Sequence, residues 1–194
     1  MSGVARAKVV YQLKVTLRDT RPPIWRRVQV SGDITLFRLH GILQVVMGWK
    51  DSHFHQFCVG ETYYGTPNPE FGFEVKNEKR FRLTDVLRRP KARMVYEYDF
   101  GDGWEHDIVL EGAVPASPGE RYPLVLAGKR RCPPEDVGGI GGYYHFLRVM
   151  RDPKHAEHRD MREWCGGPFD PDAFDVQGVN RAFHGGWGPR RQDA

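Results

Sequence analysis

His53 and His55 lie two residues apart in Asp51-Ser-His-Phe-His-Gln-Phe-Cys-Val59, so on an extended chain both imidazoles project from one face. That is the simplest way for a strand to offer two nitrogens to one divalent metal such as Zn²⁺, which takes three protein ligands in a catalytic site and four in a structural one. His106, in Trp104-Glu-His-Asp107, is the candidate third ligand. The loop Cys132-Pro-Pro-Glu-Asp-Val-Gly-Gly-Ile-Gly-Gly142 adds a thiol and the carboxylates of Glu135 and Asp136, on glycines that allow close backbone approach. Two chemistries follow. One is metal-dependent catalysis around His53, His55 and His106, with Asp102 or the Glu135/Asp136 pair beside the ion. The other is nucleophilic catalysis by Cys132 with His106 as its base. The same residues also suit a cluster of hydrogen-bonded histidines without an ion, because no tight ligand spacing such as C-x-x-C accompanies them.

The element that must position His106 is Met94-Val-Tyr-Glu-Tyr-Asp-Phe-Gly-Asp-Gly-Trp-Glu-His-Asp-Ile-Val-Leu110, two alternating runs around a glycine-rich break. Met94, Tyr96, Tyr98 and Phe100 share one parity, and Trp104, His106, Ile108 and Leu110 share one parity, as half-buried strands require. A two-residue turn would put these two sets on opposite faces. The shortest loop that avoids this is Gly101-Asp102-Gly103, which predicts Phe100 opposite Trp104, Tyr98 opposite His106 and Tyr96 opposite Ile108. The other face then carries Asp99 opposite Glu105 and Glu97 opposite Asp107, like-charge pairs that arginines from a neighbouring element or a bound cation would have to offset.

The rest of the chain supplies more strands and a few helices. Tyr11 to Leu17 alternates as a strand with one wet face, Asp19-Thr-Arg-Pro-Pro23 turns, and Ile24 to Val30 returns. Thr35 caps a helix with Leu36, Leu39, Leu43, Val46 and Met47 at helical spacing, and Gly48-Trp49 ends it. His40, at the edge of that stripe, reads as a packed core histidine. Glu61 to Gly65 is a brief strand, Thr66 to Gly72 an exposed loop, Phe81 to Leu87 a short helix stopped by Pro90, and Tyr122 to Leu126 a strand. Helices are expected at Tyr143–Arg151 and at His155–Trp164, with a last short one from Phe169-Asp-Pro-Asp-Ala-Phe174 through Phe183. This predicts an α+β fold: an antiparallel sheet of hairpins, a packed helix from the N-terminal half and a helical C-terminal part. One domain over residues 1–194 is expected, with an ordered core of residues 8–183 and a disordered tail at 184–194.

Composition narrows the class. A hydrophobic fraction of 40% with 12% aromatics is globular, and no apolar run approaches the ~18 residues of a membrane span, so no membrane partner is expected. Three widely spaced cysteines and an N-terminus without an apolar stretch suit the reducing cytoplasm. The net charge of +4 is concentrated. Between Lys76 and Arg93 eight basic residues meet only Glu78 and Asp85, which makes Lys79, Arg80, Arg82, Arg88, Arg89, Lys91 and Arg93 a candidate nucleic-acid surface.

Several long motifs resemble a known family, the plasmid pRiA4b ORF-3-like proteins, which include a so-called TnpR passenger protein of an insertion element. They are Tyr11-Gln-Leu-Lys-Val with Arg21-Pro-Pro-Ile-Trp-Arg-Arg27, Met47-Gly-Trp-Lys-Asp-Ser-His-Phe-His-Gln-Phe57, and Tyr96-Glu-Tyr-Asp-Phe-Gly-Asp-Gly-Trp-Glu-His106. Cys132-Pro-Pro-Glu-Asp-Val-Gly-Gly139, Gly141-Gly-Tyr143 and Phe169-Asp-Pro-Asp-Ala-Phe174 continue the likeness. The resemblance implies an α+β fold and little about chemistry; the function expected first is that of a cytoplasmic accessory or interaction protein associated with nucleic acid, with the metal-dependent and Cys132 enzymes as the alternatives. Recombinase chemistry does not come with it, since neither the Tyr-Arg-x-Ser segment of a serine recombinase nor the Arg, His-x-x-Arg and Tyr set of a tyrosine recombinase is present.

Overall fold

The computed structural model describes residues 9–68, 72 and 74–185. Its strands are β1 (Val9–Leu17), β2 (Ile24–Ser31), β3 (His55–Val59), β4 (Thr62–Gly65), β5 (Val75–Asn77), β6 (Arg93–Tyr98), β7 (Trp104–Pro115) and β8 (Leu124–Lys129). Its α-helices are α1 (Leu36–Met47), α2 (Leu83–Val86), α3 (Gly139–Arg151), α4 (His158–Trp164) and α5 (Val176–His184), and Glu78–Arg80 forms a 3₁₀ turn. The strands make one sheet in the order β5-β4-β3-β6-β7-β1-β2-β8. The fold is α+β as expected, with one difference: the sheet is mixed, because β4 and β5 pair in parallel while the other neighbours are antiparallel.

Period-two patterning sorts the sheet's faces. In β1 the side chains of Tyr11, Leu13, Val15 and Leu17 are buried, and in β2 those of Ile24, Arg26, Val28 and Val30. α1 lays Leu36, Leu39, Leu43 and Val46 into the same core. Its start is set by Thr35, whose Oγ1 accepts from the Arg38 N–H at 3.3 Å, and its end by Gly48 at φ +85°.

Arg26 stands on the buried parity with 1% of its surface exposed. Its five N–H donors all find acceptors: Nε on Val46 O (2.8 Å), Nη1 on Trp25 O and Lys129 O (both 2.9 Å), Nη2 on Arg130 O (2.8 Å) and Cys132 Sγ (3.1 Å). The guanidinium also lies 3.7 Å from the centre of the Phe174 ring. It thereby joins β2 to the last turn of α1, to the end of β8 and to the loop that follows.

The β6–β7 hairpin keeps the predicted faces and loses the predicted register. Tyr98 is opposite Trp104, Tyr96 opposite His106, Met94 opposite Ile108, and Glu97 opposite Glu105. The loop is therefore Asp99–Gly103, five residues where three were expected. Both lengths are odd, so parity cannot separate them. The turn chemistry does: Asp99 takes φ +58°, and its Oδ1 accepts from Gly101 N at 3.0 Å and Asp102 N at 3.3 Å. Phe100 leaves the strand and is 38% exposed, and Asp99 leaves the acidic face. What remains there is held by an arginine, as anticipated: Arg18 of β1 bonds Asp107 at 2.8 Å and also Glu105.

Other boundaries move. α3 begins at Gly139, inside the stretch read as loop, and β8 begins at Leu124 rather than Tyr122. α4 starts at His158, and α5 extends through His184, so the predicted tail begins inside a helix; residues 186–194 lie outside the described residues. The N-terminal residues 1–8 and part of the Thr66–Gly72 loop lie outside them too.

Lysine cannot present five donors in a plane, so Arg26→Lys should strand several buried carbonyls and lower stability by about 3 kcal/mol or more. Urea unfolding is the measurement; a midpoint equal to that of the unsubstituted chain at unchanged slope would mean that Arg26 holds nothing together.

Candidate metal centre

The loop from Cys132 to Gly138 is pinned at two points to the β6–β7 hairpin. On one side Glu135 Oε1 accepts from the Tyr98 hydroxyl at 2.6 Å and from Lys50 N at 3.1 Å. On the other, Asp102 Oδ2 accepts from Gly138 N at 3.2 Å. Glycine is required next: at Gly139, with φ +64°, a Cβ would stand 2.7 Å from Asp102 O, and at Gly142 one would stand 1.9 Å from Val137 O. Asp136, at φ +59°, is held between the two pins and reaches His53.

His53 Nε2 lies 3.1 Å from Asp136 Oδ1 and 3.7 Å from Asp99 Oδ2. It is sealed from solvent, yet it meets hydrogen-bond geometry with neither oxygen, so these are close approaches and not aligned bonds. One ligand atom from each of His53, Asp99 and Asp136 falls within 4.8 Å of the others. Two donors about 2.1 Å from one ion at angles of 90–110° stand about 3.0–3.4 Å apart; the His53–Asp136 separation of 3.1 Å falls in that range and the His53–Asp99 separation of 3.7 Å lies just outside it. One nitrogen and two carboxylates suit a divalent ion such as Zn²⁺ or Mn²⁺ and leave coordination positions open. Tyr98 packs edge-on to the His53 ring at 5.8 Å, and burial together with the Glu135 carboxylate raises its phenol pKa far above the usual range.

The sequence-based ligand set is thus brought together only in part. His53 lies just before β3, and the structure gives it Asp99 and Asp136, not His55 and His106, as neighbours. His55, in β3, bonds Glu78 Oε2 through Nε2 at 2.9 Å, and Glu78 is wholly buried. Its ring stacks on His40 with centroids 3.4 Å apart. His40 is the packed histidine expected, with Nε2 on Asp51 Oδ1 at 2.7 Å and Nδ1 on the Tyr96 hydroxyl at 2.8 Å; burial lowers its pKa. His106 is wholly buried, its Nδ1 donating to Tyr96 O at 3.2 Å and its Nε2 without a hydrogen-bond partner among the described residues.

Cys132 and His106 do not form a nucleophile and base pair, since among the described residues neither bonds the other. The thiol takes Arg26 Nη2 and points at Met47 Sδ, 3.7 Å away, and burial raises its pKa, the opposite of thiolate activation. His106 packs instead against the Trp49 ring at 5.3 Å.

Two clefts border the site and meet at Ser52. The larger, about 670 Å³, holds Arg26, Cys132 and the C-terminal aromatics Trp164, Phe169 and Phe174. The smaller, about 510 Å³, is the one lined by His53 and Asp99, with His40, His55, Phe54 and Phe100. Size favours the first and ligand chemistry the second. Tyr98 and Glu78 were not singled out as site residues in sequence, and Asp99 only as part of an acidic face that a cation could offset; the Asp99-Phe-Gly-Asp-Gly103 run carried the available signal, because an aspartate before a glycine turn takes an Asx conformation. The basic residues Lys79, Arg80, Arg82, Arg88, Arg89, Lys91 and Arg93 are all exposed between β5 and the start of β6.

Fold and site define a class first: an α+β protein whose hairpin turn and glycine-rich loop bring two carboxylates to one histidine. The chain belongs to the plasmid pRiA4b ORF-3-like protein family, whose model matches residues 9–178. The uncharacterized protein y4hQ of Sinorhizobium fredii is 41% identical over 175 residues, spanning 89% of this chain and 90% of the relative. The crystal structure of MM3350 from Methanosarcina mazei Go1, a protein of unknown function, is similar with a TM-score of 0.80 and 37% identity, over 89% of this chain and 98% of that one. The two chains share an overall fold. Among the described residues no helix is long and apolar enough to cross a membrane.

Burial pushes the His106 imidazole down from 6.5 to about 4. The unfolded chain therefore binds the extra proton between those values, so this stability is present above about pH 6.5 and lost as pH falls towards 4, by about 3 kcal/mol. His106→Gln has no such proton to gain. Urea unfolding at pH 7 and pH 4 should show the gap between the two proteins narrowing by about that amount, whereas parallel losses would contradict the assignment.

Proposed function

We propose that the protein is a metal-dependent enzyme whose divalent cation is held by His53 and Asp99, which line the 510 Å³ cleft, and by Asp136, which lines the larger one. The observation that carries this reading is the sealed His53 Nε2, set against two carboxylate oxygens with a hydrogen bond to neither. Three protein ligands with open positions are the pattern of a catalytic metal site, in which the ion polarises a substrate oxygen and lowers the pKa of bound water. The supports are of the kind such a site needs: Asp99 is fixed by its own turn, and Asp136 by the bonds of Glu135 and Asp102 on either side of it. Calorimetric titration of chelator-treated protein with Zn²⁺ and Mn²⁺ should find a single site per chain. His53→Ala and Asp99→Asn should each weaken it by at least about ten-fold, and His55→Gln should leave it near the original value. Unchanged affinity in both of the first two variants would place any ion elsewhere.

A second reading, an accessory module associated with nucleic acid, draws on the charge of the Lys79–Arg93 segment. Among the described residues Lys79, Arg80, Arg88, Arg89, Lys91 and Arg93 form no ion pair with a carboxylate, and Arg82 reaches Asp33 only at 3.8 Å. An unneutralised exposed patch of this kind attracts phosphates through counterion release. A labelled duplex titrated at two salt concentrations should bind weakly and lose affinity steeply with salt, and Arg88→Ala with Arg89→Ala should reduce the slope by about two. Salt-independent binding, or none at low salt, would remove this reading.

A further inference from the structure

The larger cleft, about 670 Å³, touches the proposed ion site only through Asp136, and most of its wall has no role there. Val45, Phe169, Phe174 and Val179 line it and are only partly buried. Trp164, the last residue of α4, lines it too and is 51% exposed. Among the described residues its ring meets only that of Phe146, edge-on at 6.1 Å. Apolar surface left open in a concavity of this size is the usual lining of a small-molecule site, since covering it with an apolar ligand is favourable.

Three cations, Arg26, Lys50 and Arg131, and three carboxylates, Glu135, Asp136 and Asp175, line the same cleft. What each already bonds decides which sign is left over. Glu135 accepts from the Tyr98 hydroxyl and Lys50 N, Asp136 faces His53, and Asp175 accepts from Gly178 N at 2.9 Å and Arg181 at 3.3 Å. Arg26 has all five donors engaged. Lys50 and Arg131 remain, because among the described residues neither forms an ion pair with a carboxylate. The Arg131 guanidinium lies 4.5 Å from the centre of the Phe169 ring, and its backbone N–H holds Pro171 O at 3.0 Å, so its donors are fixed beside the apolar wall. A guanidinium offers parallel N–H groups that match a carboxylate. Glu135 and Asp136 on the same wall disfavour a dianion, which leaves a monoanion as the matching head group.

We propose that this cleft binds an apolar monocarboxylic acid, its body against Trp164, Phe169 and Phe174 and its carboxylate on Arg131, with Lys50 as a second cation. The site goes beyond the metal reading and stands without the ion. The shared chemistry, an apolar body with one carboxylate, could come from an alkyl or from an aryl acid.

The full chain, treated with chelator, is titrated calorimetrically at pH 7 with octanoate and with 2-naphthoate, and 1-octanol, octylamine and acetate serve as controls. The expected result is one site per chain that takes octanoate or 2-naphthoate at least about ten-fold more tightly than any control. Arg131→Gln should weaken the acid by about ten-fold and leave octanol unchanged, whereas Trp164→Ala should weaken acid and alcohol alike. Both side chains are exposed, so the urea midpoint of each variant should stay near the original. Preference for the alkyl or for the aryl acid identifies the source and supports the proposal either way. Octanol or acetate binding as tight as the acid, octylamine binding tighter, or acid binding indifferent to both substitutions overturns it. So does acid binding that appears only after Mn²⁺ is added, because the carboxylate then sits on the ion and not on Arg131. Failure of the metal reading is separate: Mn²⁺ does not bind, and octanoate affinity that still falls in Arg131→Gln upholds the acid site.

Discussion

Arg26 is the constraint on which the rest of the architecture depends. Among the described residues the buried Arg26 guanidinium has no carboxylate to offset its charge, and burial lowers its pKa. It is tolerated because all five donors are used, and using them requires Val46 at the end of α1, Lys129 and Arg130 at the end of β8, and Cys132 at the start of the loop in fixed positions, while Phe174 before α5 covers the guanidinium face. Val46 O is one of the last carbonyls of α1, which no intrahelical donor can reach, so the arginine acts as a side-chain cap from another element. Each contact is directional, and displacing one partner would strand the others.

From Cys132 onward the loop inherits that placement. Trp49 extends it, its indole N–H holding Pro133 O at 3.1 Å, and Glu135 then closes on Tyr98 and Lys50. By the time the chain reaches Asp136 its path has been set by Arg26, Trp49 and Tyr98 in turn, and Asp102 sets it again two residues later. The candidate site is thus a product of core packing on one side and of a hairpin turn on the other.

The acidic residues divide their work by position. Glu105 and Asp107 on the open face are matched by Arg18, Glu111 by Arg27 at 2.6 Å, and Glu78 in the interior by His55. Exposed pairs of the first kind contribute at most about 1 kcal/mol each and weaken with salt. Asp99 and Asp136 differ from these because the group they share is a single nitrogen that bonds neither.

The sequence by itself determined the α+β class, which residues of β1, β2, β6 and β7 face the core, and both ends of α1, because period-two and period-3.6 patterning, a threonine cap and a left-handed glycine act over a few neighbouring residues. It also carried a hint of Arg26, which sits on the apolar parity of Ile24, Val28 and Val30. Tertiary structure decided the hairpin register, since loops of three and five residues satisfy the same parity and only the side-chain bonds of Asp99 separate them. It decided the start of α3 as well, where glycines that read as loop are needed for the close approach of Asp102 and Val137. And it decided which groups meet His53: His55 projects from the same local stretch yet turns to Glu78, while Asp99 and Asp136 arrive from 46 and 83 residues further along (99 − 53 and 136 − 53). Contacts at that separation depend on how hairpin, helix and loop pack together, which no short-range pattern encodes.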